Sequence, residues 1–186
     1  MPLRAPCFVG ERDLTPAQRG TALHMVMQHL DFKRTGSREE IAEEIARLVA
    51  GQYITPQQGA VVDPEVILGI FQSELGQRIL RAKVLEREFK FTLLVPAVDY
   101  YPEAEGLEDE VLLQGVVDCW FEEDDGTITV VDFKSDRVSR DTVQARVDEY
   151  RGQLSVYTRA LSEVMGCTVG KRYLWFFAIG DAVEVL

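Results

Sequence analysis

A chain of 186 residues, 46% hydrophobic and 27% charged, can bury a core as one globular domain, and no apolar run in it reaches the ~18 residues of a membrane helix. Its formal net charge of −11 excludes a protein that grips nucleic acid through a uniformly basic surface. Three scattered cysteines (Cys7, Cys119 and Cys167) form no CxxC pair, which argues against a disulfide framework, a zinc site or an iron–sulfur cluster and suits the reducing cytoplasm.

Thr15-Pro16-Ala17-Gln18 combines an N-cap, a proline at the first helical position and a capping-box glutamine, and predicts a helix to about Asp31. Ser37-Arg38-Glu39-Glu40 offers a second capping box, opening a helix through Ile41, Ile45 and Leu48 that stops at Gly51. Thr55-Pro56 and Asp63-Pro64 start two further helical stretches, so residues 1–83 read as mainly helical. The pattern then changes. Val84–Val95, Val111–Phe121 and Thr127–Lys134 are rich in β-branched and aromatic residues and predict strands. An acidic loop, Pro96–Asp109, separates the first two, and Glu122–Gly126 is a turn with glycine last. Apolar residues from Val143 to Val164 recur at steps of four and three, one stripe of a long helix ended by Gly166. Tyr173–Ile179 reads as a buried strand. Residues 84–186 thus run strand-strand-strand-helix-strand, and the whole chain reads as one α/β domain, a mixed sheet with helices packed on it.

Two residues do not belong in such strands. Asp118 and Asp132 lie inside apolar runs, where an ionised carboxylate is costly to bury without a partner. If Asp124-Asp125-Gly126 is a three-residue hairpin loop, Glu123 pairs with Thr127 and Asp118 stands opposite Asp132, with Cβ atoms ~5 Å apart. A two-residue turn would instead put them on opposite faces. Lys134, two residues beyond Asp132, emerges on the same face. Lys134 alone could neutralise the pair and make a structural ion cluster. The alternative is an all-oxygen site for Mg²⁺ or Mn²⁺, with Asp118, Asp132 and the Phe133 carbonyl as ligands and Lys134 orienting a water or stabilising developing charge.

The ordered set Gly20-Thr-Ala-Leu-His24, Arg87-Glu88-Phe89, Gly115-Val-Val-Asp118, Val131-Asp132-Phe-Lys134-Ser-Asp136 and Tyr150-Arg-Gly-Gln153-Leu-Ser-Val-Tyr157 resembles the PD-(D/E)xK nuclease core. It is most similar to the C-terminal nuclease domain of RecB/AddA-type helicase–nuclease subunits, over about residues 19–177. The resemblance implies a restriction-endonuclease-like fold and Mg²⁺- or Mn²⁺-dependent hydrolysis of DNA, exonucleolytic on single strands at ends. It also implies, as partners, helicase motor domains and a second helicase–nuclease subunit, since the chain holds no P-loop of its own. By the same resemblance His24 joins Asp118 and Asp132 as a metal ligand, Glu88 is the acid of the first strand, and Gln153 and Tyr157 line the site. Gly20 would let the helix approach the sheet, and Gln28, a turn beyond His24, would be its hydrogen-bond partner. Some relatives carry an iron–sulfur cluster on four cysteines, which three cannot supply. The other reading is a catalytically silent nuclease-fold module that only binds DNA or a helicase.

Overall fold

The computed structural model describes residues 14–186, so Cys7 lies outside the described residues. Five helices come first: α1 (Pro16–His29), α2 (Arg38–Ala50), α3 (Pro56–Val61), α4 (Pro64–Gln72) and α5 (Glu74–Arg81). Both arms of the capping box form at α1, with the Gln18 amide donating to Thr15 Oγ1 and the Thr15 amide to Gln18 Oε1. At α2 only one arm forms as expected. Ser37 Oγ accepts from the Glu40 amide, but the Glu40 carboxylate reaches past the N-cap to the Gly36 N–H, at 2.8 Å. The stretch opened by Pro64 is two helices rather than one. Ser73 ends α4 and caps α5, where its Oγ accepts from the Gly76 amide. A Cβ on Gly76 would stand 1.9 Å from the Ile70 carbonyl oxygen, so only glycine permits this tight junction.

The sheet is built from β1 (Leu85–Pro96), β2 (Glu110–Glu122), β3 (Ile128–Lys134), β4 (Val169–Phe176) and β5 (Asp181–Glu184), in the order β1-β2-β3-β4-β5. Neighbours are antiparallel except β3 and β4, which the long helix α6 (Val143–Met165) connects as a parallel crossover. Gly166 ends α6 in the left-handed conformation, at φ 66°. The last expected strand begins earlier than Tyr173 and stops at Phe176, because Phe177–Gly180 turn the chain back into β5. That four-residue edge strand has no periodicity long enough to announce itself in the sequence.

The mixed sheet is covered on both sides, which is the restriction-endonuclease-like architecture. Helices α1–α5 pack on Cys119, Phe121, Val131, Phe133 and Trp175, while α6 packs on Trp120, Val130, Leu174 and Phe176. Strand β3 is buried along its whole length, so any charge on it must find a partner inside the protein. No helix among the described residues is long and apolar enough to cross a membrane.

Candidate active site

The β2–β3 hairpin sets the register. The Glu123 amide donates to the Thr127 carbonyl at 2.8 Å, and Gly126 closes the loop at φ 82°. The turn therefore takes three residues, and the ladder runs Glu122↔Ile128 through Cys119↔Val131. One step further, Asp118 stands opposite Asp132, and there the ladder opens. The Phe133 N–H donates to Asp118 Oδ2, at 2.8 Å, instead of to a carbonyl of β2.

The same step is irregular on β1. Arg87↔Cys119 and Phe89↔Val117 are paired, while Glu88, between them, lies at φ 56° and leaves the ladder. A non-glycine residue in that region is strained and needs surrounding structure to hold it. Here the two strands exchange faces. Cys119 belongs to the core under α1–α5 and Val117 to the core under α6, although they are two residues apart. Arg87 donates to the Met27 and Leu30 carbonyls at the end of α1 and stacks on Phe32, tying β1 to α1. Phe91, by contrast, packs edge-on against Tyr157 of α6.

Helix α1 delivers His24. Its Nδ1 lies 3.6 Å from Asp118 Oδ2. Gly20 permits the approach, since a Cβ there would fall 2.4 Å from Ser135 Oγ, just past β3. Burial lowers the His24 pKa, and the neighbouring Asp132 charge opposes this only in part. The ring is thus neutral near pH 7, the form in which imidazole ligates metal. Among the described residues Gln28 shares no hydrogen bond with His24, and His29 turns away to pack on Tyr53.

From the α6 side comes the lysine support. Lys134 Nζ lies 2.5 Å from Asp132 Oδ2 and donates to Gln153 Oε1 at 2.9 Å; Gln153 Nε2 donates to the Tyr157 hydroxyl. Tyr150 completes the cradle: its ring face lies 3.8 Å below Lys134 Nζ, and its hydroxyl donates to Asp136, which also pairs with Arg146. Sequence reasoning placed Tyr150 in the apolar stripe and gave it no part in the site. The available signal was the spacing of Arg146, Tyr150, Gln153 and Tyr157, which puts all four on one helical face.

The electrostatics are those of a crowded anionic site. Burial, reinforced by the adjoining Asp132 charge, raises the Asp118 pKa to about 8. Asp132 is 2% exposed, and the Lys134 ammonium beside its Oδ2 is its charge partner. Glu88 is also pushed up by burial. Among the described residues no three His, Cys, Asp or Glu side chains converge tightly enough to hold a metal by themselves. The hard oxygens of Asp118 and Asp132, the Phe133 carbonyl and the His24 imidazole are nevertheless the donor types a small divalent cation takes, with water filling the other positions. A cation there would offset the burial and the Asp132 charge that together raise the Asp118 pKa.

A mixed sheet sandwiched by helices, with two acids and a lysine at the point where its central hairpin splays, defines a nuclease fold. The sequence profile of the PD-(D/E)XK nuclease superfamily matches residues 3–184, and the chain belongs to that superfamily. It is 35% identical over 187 residues to an ATP-dependent helicase/nuclease subunit from Clostridium botulinum (strain 657 / Type Ba4), covering 98% of this chain and 14% of that protein. The proteins of the same description from Desulforamulus reducens and Bacillus cytotoxicus are 39% and 40% identical, over 94% and 95% of this chain and 14% and 15% of their own lengths. The chain thus spans about one seventh of the length of the relatives it matches.

Proposed function

We propose that this chain hydrolyses phosphodiester bonds of DNA with Mg²⁺ or Mn²⁺, exonucleolytically on single strands near ends. The observation that carries the reading is the buried Asp118–Asp132 pair, with His24 against Asp118 and, against Asp132, a lysine held in place by Gln153, Tyr157 and Tyr150. A structural ion cluster would need only Lys134; here a half-buried His24, whose pKa burial lowers, also stands against Asp118.

Asp118, Asp132, His24 and the Phe133 carbonyl would hold the cation. When bound, it supplies charge to polarise a phosphoryl oxygen and to acidify water. Lys134 orients the attacking water or steadies the negative charge that grows on the phosphoryl oxygens. Gln153 fixes the ammonium, and Tyr157 fixes Gln153. Glu88 faces the same step of the sheet as Asp118 and serves as a further acceptor for the water shell. No iron–sulfur cluster has a place in this scheme.

The relatives' description as helicase/nuclease subunits supports a working context beside helicase motor domains and a second subunit, in the cytoplasm, where unwinding would supply single strands. A net charge of −11 agrees with sharing the grip on DNA among partners. The test is cleavage of a labelled single-stranded oligonucleotide with Mn²⁺ by wild type, Asp132→Ala and Lys134→Ala. Cutting by wild type alone is expected; equal cutting by all three overturns the reading.

A further inference from the structure

A cavity of about 640 Å³ opens directly beside Lys134 and His24, between α1, the start of α4 and the segment that follows β3. Its size lies within the ~300–1,000 Å³ of small-molecule sites. Leu23, Val66 and Phe177 make much of its wall apolar, and Arg137, which forms no ion pair among the described residues, stands on its rim. The two wall carboxylates among the described residues are already engaged: Asp63 accepts from the Glu65 amide at the head of α4, and Asp136 is held by Arg146 and Tyr150.

Phosphodiester chemistry at Lys134 needs only phosphate and water, so an apolar chamber on the same wall calls for something else from the substrate. In a nucleic acid the apolar surface is the face of the bases. A duplex hides those faces in its stack, whereas a single strand can turn one out. Resting on the nuclease reading above, we infer that this cavity is a subsite for one unpaired base next to the scissile bond. Leu23, Val66 and Phe177 cover the base, and Arg137 meets the adjoining phosphate. Such a subsite makes single-strand preference a property of the nuclease chain itself.

The experiment measures binding of single-stranded oligonucleotides to the 186-residue Lys134→Ala chain with Mn²⁺ present, moving one abasic nucleotide along the strand. In parallel, wild type is assayed for cleavage of the same set. Loss of the base at one or two adjacent positions is expected to weaken binding about tenfold, with little effect elsewhere. Val66→Trp, which fills the cavity from α4, should weaken binding of the intact strand and leave the best-placed abasic strand unchanged. A flat abasic profile with normal cleavage overturns the subsite and spares the nuclease reading. Equal weakening of both strands by Val66→Trp also overturns it. Neither binding nor cleavage of any strand removes both.

Discussion

The main-chain N–H of Phe133 donates to the carboxylate of Asp118 at the step where β2 and β3 part. That one bond takes the place of a ladder bond and leaves room between the strands. It anchors one oxygen of Asp118 beside Asp132, and so fixes a carboxylate pair that the fold alone would disfavour. Burial and the adjoining Asp132 charge together raise the Asp118 pKa.

Asp118→Asn should therefore stabilise the protein when divalent cations are chelated, because the amide oxygen keeps the Phe133 bond and removes the cost of burying a carboxyl whose pKa is raised to about 8. The expected gain is about 1 kcal/mol, or ~3 °C in the melting temperature, together with loss of cleavage. A lower melting temperature in chelator would mean that the carboxylate is not repelled at this position.

Tyr150 positions Lys134 by its ring face. Tyr150→Phe, which keeps the ring and drops the Asp136 bond, should retain most activity. Tyr150→Leu should lower kcat about tenfold with little change in KM, in line with the ~0.5–2 kcal/mol of such a contact. Added to Lys134→Ala, it should lower the remaining activity no further. Equal effects of Phe and Leu would assign the role to the hydroxyl instead.

Gly20→Ala places a methyl group against Ser135, immediately after Lys134. The Ser135 hydroxyl must rotate away, and its Cβ, 3.3 Å from the new methyl, still presses helix α1 and His24 slightly back from Asp118, so activity should fall more than stability does. Ser135→Gly should restore part of it, a coupling that a double-mutant cycle measures. Additive losses would show that the two residues do not meet.

Away from the site, Glu44 is 1% exposed and accepts from Arg47, Arg34 and the Asp31 amide. The Arg47 hydrogen bond, aided by the Asp31 amide and the arginine charges, holds its pKa below the ordinary glutamate value despite burial. Its stabilisation is complete above the unfolded-state pKa, ~4.3, and is lost as pH falls through the lower folded value. Glu44→Gln should cost about 2 kcal/mol at pH 7 and flatten the acid limb of stability against pH. Parallel acid limbs for the two proteins would refute the assignment.

Much of the site could be read in advance because it depends on register and spacing. A glycine-ended turn of three residues set Asp118 against Asp132, and the two-residue pleat set Lys134 beside them. Local signals also located α1, α2 and α6, whose caps and stripes lie within a few residues of each other. The division at Ser73 and the strand β5 were not legible, since one depends on how closely α5 approaches the Ile70 carbonyl and the other on four residues pairing with β4. Tyr150 was visible as an apolar residue, but its role depends on where the Lys134 ammonium comes to rest.

What the sequence by itself determined is the chemistry available: two acids and a lysine on adjacent strands, followed by a helix bearing glutamine and tyrosines, in the order of a PD-(D/E)XK nuclease. Those are properties of neighbouring residues and of strand period. Only the tertiary structure decided how they meet. The face exchange at Glu88 and Asp118, the arrival of His24 from a helix almost a hundred residues earlier, and the cavity beside Lys134 all arise from packing between distant segments. Local periodicity carries no record of such contacts, because the side chains that make them are chosen by volume and burial rather than by the spacing of their own element.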